Sequence, residues 1–350
     1  MGIWRFILAF MVLLSHTPGS YLKGNFGQMS VLAFYFISGI LMAMSFERFQ
    51  IKSPSPVRKF FIDRLVKLWP SYMLVFIVSL IVYPLIHIDY DWRRVIAEVF
   101  ILPAAYTKMI PWGTNALTIV PPSWSLGVEA HFYLAVPLIA MITYQNRIRL
   151  AYGMAALHLL VLSSHAALGK WGCFWPIQPG VCTMPISDYL GFDLPFVVGV
   201  TFLLGTICYE SFVKQNRFDQ NLLAIWGMYA VSLFLLAPVR KWITNLSTYE
   251  VLFSVTFLIP ASLGVFLLTK DQKPGSIDRI LGNLSYPLFL VHFLARRINE
   301  YFFGAYEVNQ LLLLETVILS IVFSVIIAQF QNQIVDHIRY RFRGFGNLRG

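Results

Sequence analysis

Residues 308–333 read VNQLLLLETVILSIVFSVIIAQFQNQ. A helix needs about 20 mostly apolar residues to cross the hydrocarbon core of a bilayer, and this stretch has them. Working outward from it, the same pattern recurs near 3–18, 30–48, 66–88, 124–144, 149–168, 190–212, 222–238, 248–269 and 280–303. The reading is an all-α protein, a polytopic transmembrane helical bundle of about ten spans. A further apolar stretch, 95–106, is too short to span and is expected to form an interfacial or re-entrant helix.

The composition agrees. Of the 350 residues, 57% are hydrophobic, 16% aromatic and only 13% charged, with a mean hydropathy of +0.66. An ordinary soluble domain carries about 25% charged residues. There are too few here to coat a water-facing surface, and far too much hydrophobicity for disorder. The lipid bilayer is the expected partner. The net charge of +10 does not point to nucleic acid, because no aromatic-plus-basic module accompanies it. About two-thirds of the Lys and Arg residues fall on one side of the predicted topology. The positive-inside rule then places the N- and C-termini in the cytoplasm. The domain reading is one transmembrane unit over 1–335 and a short basic cytoplasmic tail over 336–350. The Pro18–Ser20 segment resembles a leader-peptide cleavage site, yet the first span is read as retained, because its far end carries a residue with a use.

Cys173, Cys182 and Cys208 form no CxxC pair, so no zinc or redox centre is expected. Cys208 is expected to be buried. Cys173 and Cys182 flank one predicted outer loop, where a disulfide is permitted.

Ionisable residues inside spans are costly and are functional candidates by default. Arg5 and His16 share the first span. Eleven residues separate their positions, about 16 Å along the axis and about 20° in azimuth, so both point the same way. One groove could hold a long ligand with an anionic head at Arg5 and a reactive end at His16. A snorkelling arginine and a histidine bonded to a carbonyl are the plainer account. Ser125, Glu129 and Tyr133 recur every four residues and share a helix face. Glu129 lies about 9 Å inside its span and needs a partner. His16 is the expected one, with Glu129 holding its tautomer. Alternatively the two simply lock helices together. Arg64 and Lys67 stand one turn apart at a predicted cytoplasmic entry, where they could clamp phosphates or merely anchor the span. His292 is about 12 residues into its span, at a depth like that of His16, and could line the same cavity. His87, His131, His158, His165 and His337 are read as structural or interfacial. There is no P-loop, GxGxxG, HExxH or GxSxG, so His-activated chemistry is the remaining option. No metal is expected.

These residues resemble the acyltransferase-3 family of integral membrane acyltransferases. Arg5 to His16 is similar to its Arg-x10-His on the first span. Phe34-Tyr35-Phe36-Ile37-Ser38-Gly39 resembles its FFxxSG. Arg64-x-x-Lys67-x-x-Pro70-x-Tyr72 resembles its RxxRxxPxY, with Lys67 in place of the second arginine. Trp124-Ser125-Leu126-x-x-Glu129-x-x-Phe132-Tyr133 is similar to WSLxxExxFY. Ser285-Tyr286 with His292 resembles SYxxYLxH, with Phe289 in place of a tyrosine. All five occur in the family's order.

The resemblance implies a multi-pass protein of the bacterial inner membrane. It would move an acyl group, acetyl in the common case, from cytosolic acyl-CoA to a hydroxyl of an extracytoplasmic or lipid-linked glycan. Arg5, Arg64 and Lys67 would meet the CoA phosphates. His16 would be the general base and Glu129 its partner, while Trp124, Ser125, Tyr133 and His292 would face substrate. A base that must be neutral predicts activity falling below about pH 6. The acceptor stays open among lipopolysaccharide O-antigen, capsule, exopolysaccharide, Nod-type oligosaccharide, peptidoglycan and small glycosides. The predicted loop 88–123, with Trp92, Pro111, Trp112 and Asn115, would suit sugar stacking. The competing readings are a transporter or flippase of lipid-linked saccharides, and a subunit of a polysaccharide-export complex.

Overall fold

The computed structural model describes residues 1–17, 26–90, 92–106, 118–168, 176–178, 181–182, 194–216, 219–243, 248–304 and 310–341. The described chain is almost wholly helical. Helix α1 is Gly2–His16, α2 is Phe26–Lys52, α3 is Pro56–Leu85 and α4 is Trp92–Val99, followed by a 3-10 turn at Leu102–Tyr106. Then come α5 (Ser123–Met141), α6 (Tyr144–Leu168), α7 (Pro195–Cys208, continued by a π-helical turn Tyr209–Lys214) and α8 (Gln220–Ile243). Helix α9 runs Thr248–Phe253, Ser254–Leu258 and Ile259–Thr269, its middle piece again π-helical. Helix α10 is Ser276–Phe303 and α11 is Gln310–Arg341. The one departure from all-α among the described residues is a two-stranded antiparallel ladder, β1 (Pro176–Gln178) on β2 (Val181–Cys182). It lies between the predicted spans 149–168 and 190–212. Cys173, and with it the disulfide, lies outside the described residues. Trp112 and its neighbours in 107–117 do too.

The long helices fall where the spans were predicted. Six of those described are long and apolar enough to cross a membrane: Phe26–Lys52, Pro56–Leu85, Ser123–Met141, Pro195–Lys214, Val251–Thr269 and Gln310–Ile334. Gly2–His16 and Gln220–Leu236 are apolar but shorter. At 1.5 Å per residue, α1 is about 22 Å long, less than the hydrocarbon thickness. It packs against α2 and α10. Helix α11 runs on to Arg341, past the predicted tail boundary at 336.

Helices α2 and α7 form the centre of the bundle. Their apolar windows are 72% and 78% buried, against 28% for α3. Without a hydrophobic drive between helices in lipid, small residues set the close crossings. Gly39 of α2 meets Gly205 of α7. A Cβ on Gly39 would fall 2.1 Å from the Phe202 carbonyl oxygen, and one on Gly205 would fall 2.1 Å from that of Phe36. At Gly127 a Cβ would fall 2.4 Å from the Ala105 nitrogen, so the turn after α4 packs on α5.

Glu98 of α4 is fully buried. Its two oxygens accept from the backbone N–H groups of Ile119 (3.1 Å) and Val120 (2.9 Å), and the Tyr72 hydroxyl donates to its carbonyl at 2.7 Å. The chain entering α5 is tied to α4 through this side chain. Removing the carboxylate leaves both N–H groups unsatisfied, at about 1–3 kcal/mol each. Glu98→Ala is therefore expected to lower the melting temperature in detergent more than Glu98→Gln, which keeps one acceptor oxygen. Equal melting of the two would refute the anchor.

Candidate active site

Helix α1 carries Arg5 and His16 and is clamped at both ends by α10. At its start, the Ile3 N–H and the Met1 amino group donate to Asp278 Oδ1 at 2.9 and 3.2 Å. At its end, Arg296 Nη1 donates to the His16 carbonyl at 2.6 Å. A carboxylate at the N-terminus and a guanidinium at the C-terminus both suit the helix dipole. The two helices therefore run parallel, and the heights of Arg5 and His16 are set by one neighbour.

Around Arg5 polar side chains from α1, α2, α3, α5 and α10 gather. The Arg5 side chain interacts electrostatically with Glu129, Tyr133 and Arg64. Ser38 of α2 donates a very short hydrogen bond to Glu129, and the Tyr133 hydroxyl lies in the field of the same carboxylate. Tyr286 of α10 also feels that charge, and its hydroxyl donates to the Leu68 carbonyl at 3.0 Å. Gln331 of α11 donates to the Lys67 carbonyl at 2.6 Å. Tyr286 and Gln331 thus reach the backbone of the turn before Pro70 from α10 and α11. This fixes the turn that carries Arg64 and Lys67.

Arg64 donates to Asp63, to Ser45 Oγ (3.3 Å) and to Met42 Sδ (3.3 Å), and stacks 5.7 Å from the Phe60 ring centre. Its Nε is buried with no partner. Lys67 Nζ donates to the same Asp63 at 2.9 Å, and its side chain is half-exposed. So one carboxylate partly offsets both cations. No described residue supplies a hydrogen bond to the Arg5 guanidinium. A guanidinium has five donors and no acceptor. Arg5 is half-buried, so these donors are open to an anionic or carbonyl ligand.

His16 is placed differently from expectation. Its Nδ1 donates to the Val12 carbonyl at 2.9 Å, with Ser15 Oγ 3.4 Å away. Glu129 does not orient it. Helix α2 packs on both α1 and α5, and its Ser38 takes the carboxylate that was expected to reach the imidazole. The His16 ring lies 5.3 Å from the His292 ring and 4.7 Å from Phe293, centre to centre. His292 therefore shares a site with His16, and Glu129 shares one with Arg5. Gly27 of α2 lies against the His16 ring: a Cβ there would fall 3.2 Å from Cε1.

The remaining predicted residues divide. Tyr133 belongs to the Arg5 chamber. The Ser125 hydroxyl is used locally, donating to the Pro122 carbonyl at 2.9 Å, and the Tyr35 hydroxyl donates to its carbonyl at 3.4 Å. Trp124 is half-buried beside it. His131 donates to the Gly127 carbonyl and takes the Tyr106 hydroxyl at 3.0 Å. His158 meets the Tyr229 hydroxyl at 2.6 Å in the core. Both are structural ties. No group of three or more metal-ligating side chains occurs among the described residues.

Sequence reading missed Arg296 and Glu98. Arg296 was findable, since it is an ionisable residue in a span one turn after His292. Glu98 was not, since its partners come from a loop 21 and 22 residues away.

A helical bundle of membrane-spanning character, with a cluster of guanidinium groups inside it and a pair of imidazoles meeting between α1 and α10, defines an integral membrane protein with an internal polar site. The chain belongs to the acyltransferase-3 family, whose acyltransferase domain matches residues 1–329. It is accordingly a membrane acyltransferase. Among curated relatives, an uncharacterized protein of Aquifex aeolicus (strain VF5) is 27% identical over 224 residues, covering 63% of this chain and 90% of that protein. Acyltransferase MdmB of Streptomyces mycarofaciens is 22% identical over 293 residues, covering 79% of this chain and 70% of that one. No solved structure matches.

Proposed function

We propose that this acyltransferase moves an acetyl group from cytosolic acetyl-CoA to a hydroxyl of an extracytoplasmic or lipid-linked glycan. It would act from the bacterial inner membrane, with about ten spans and both termini in the cytoplasm. One observation carries the reading. Among the described residues the Arg5 guanidinium has no hydrogen-bond partner, and it stands beside Arg64 on the helix that ends in His16. That arrangement suits a donor with an anionic head and a long arm.

Arg5 and Arg64 would hold the donor's phosphates, with Lys67 nearer the surface. Glu129, held by Ser38, would offset the two cations while the donor is absent. His16, with Nδ1 committed to the Val12 carbonyl, keeps its Nε2 lone pair for the acceptor hydroxyl. It would take that proton as oxygen attacks the acyl carbon, and return it to the departing thiolate.

The test is thiol release from acetyl-CoA by purified protein in nanodiscs, with methyl glycosides as acceptors, and acetyl-CoA binding alongside. Charge-assisted hydrogen bonds are worth about 1.5–3 kcal/mol. Arg5→Gln is therefore expected to raise the KM for acetyl-CoA about 10–100-fold. An unchanged KM would move the donor site elsewhere. Absence of acetyl-CoA binding in the wild type would overturn the reading.

A further inference from the structure

The end of α10 that meets His16 carries more cation than anion. Arg296 and Arg297 are consecutive, and both turn to one carboxylate. Glu300 accepts from Arg296 Nε at 2.6 Å and from Arg297 Nη1 at 3.1 Å. Arg296 Nη1 is used on the His16 carbonyl. Arg296 Nη2, Arg297 Nε and Arg297 Nη2 have no hydrogen-bond partner among the described residues. The Glu300 side chain is 9% exposed and that of Arg297 is 33% exposed. The carboxylate is therefore spent inside the protein, while donors of Arg297 stay open to a ligand.

The height of this cluster is fixed. Asn299 Nδ2 donates to the Leu312 carbonyl at 3.0 Å and to Thr316 Oγ1 at 2.8 Å, which ties this turn of α10 to α11. Tyr301, Phe302 and Phe303 follow, all exposed, and the helix ends at Gly304 with φ +87°. Tyrosines at the end of a span sit at the membrane–water interface. Arg297 lies four residues before Tyr301, about 6 Å further in along the axis. Helix α3 borders the cluster. The Tyr83 hydroxyl lies in the field of Arg297, and the His87 ring is 6.0 Å from that of Tyr301. Two guanidiniums sharing one carboxylate keep a net positive charge at a depth where charge is costly. An anion completes such a cluster, and the planar fork of a guanidinium matches the paired oxygens of a phosphate.

We propose that Arg297, with Arg296 beside it, holds a phosphate group of the acceptor, which is then a saccharide joined through phosphate to a lipid chain. This rests on the reading of His16 as the base and narrows the acceptor class. The phosphate sits just inside the interface, and the saccharide it carries lies beside the imidazole, because Arg296 bridges from Glu300 to the last residue of α1. No bond to phosphorus forms or breaks. Arg297 binds, and the chemistry stays at His16. A neutral glycan would leave the open donors unmet. The phosphate of an ordinary anionic bilayer lipid offers the same chemistry, so the experiment separates the two sources.

The experiment measures binding of radiolabelled geranylgeranyl phosphate to the full chain in phosphatidylcholine nanodiscs, with empty nanodiscs as background and geranylgeraniol as the uncharged probe. The phosphate is expected to bind saturably and about 10-fold or more tighter than the alcohol, the worth of a hydrogen bond to a charged group. Arg297→Gln is expected to weaken it about 10–100-fold on the same ground, and Arg297→Lys to keep part of the affinity through its charge. Acetyl-CoA binding, measured in parallel, is expected to be the same in all three proteins. If Arg297→Gln does not fold, Arg297→Met takes its place. Equal binding of phosphate and alcohol, or wild-type affinity in Arg297→Gln, overturns the inference. So does equal displacement by phosphatidylglycerol, which would make the cluster a headgroup site. All three outcomes leave acyl transfer standing. A wild type that binds geranylgeranyl phosphate but not acetyl-CoA keeps the phosphate subsite and overturns the donor reading.

Discussion

His16→Ala is expected to reduce acyl transfer by about 10²–10⁴-fold, the usual worth of a general base, and to leave acetyl-CoA binding intact. The geometry separates these two effects. Arg5, Arg64, Ser38, Glu129 and Tyr133 converge on one chamber. His16 stands at the other end of α1, against His292 and Phe293. The alanine removes nothing from the chamber. It also leaves the clamp on α1 in place, because Arg296 holds the backbone carbonyl of residue 16 and not its ring. His292 Nε2 is buried, and His131 and His158 are committed to Tyr106 and Tyr229. Thiol release by purified wild type and variant, with binding measured in parallel, checks both halves. A variant that keeps the wild-type rate would remove His16 from the chemistry. One that loses binding would mean that the two ends of α1 are not independent.

The second large effect is on folding. Gly39→Val and Gly205→Val are each expected to cost about 3 kcal/mol or more, the upper range for overpacking. The added carbon meets a backbone carbonyl oxygen at 2.1 Å in both cases, and backbone of a packed helix cannot step aside as a side chain does. Helices α2 and α7 would have to separate. Because α2 also carries Ser38 and packs on α1 and α5, activity should fall with stability. Yield of monodisperse protein and melting temperature in detergent measure it. Gly153 makes the control, since nothing lies within 4 Å of a Cβ there. If Gly39→Val melted within about 2 °C of wild type, less than 1 kcal/mol by the usual scaling, the close crossing would be wrong.

Much of the bundle was legible beforehand because membrane helices are a local matter. In lipid every backbone group must be satisfied within its own segment, so length and apolarity alone mark where helices run. The common face of Arg5 and His16 follows from helical pitch in the same way. The pairing of partners was not legible. Glu129 was expected at His16 because both lie deep in spans, but depth says nothing about azimuth around the bundle. Ser38 of α2 takes that carboxylate instead.

The sequence by itself determined the class of protein, the positions of its helices, and the residues whose charge or imidazole has no cheap place in a membrane. The tertiary structure decided which of those residues meet. It put Glu129 with Arg5, His292 with His16, Arg296 on the end of α1 and Glu98 beneath the entry to α5. The reason is one of range. Helical pitch and hydropathy act within a turn or a span, whereas a side chain's partner depends on which helices become neighbours. Here that was settled by the few glycine positions where two backbones can approach.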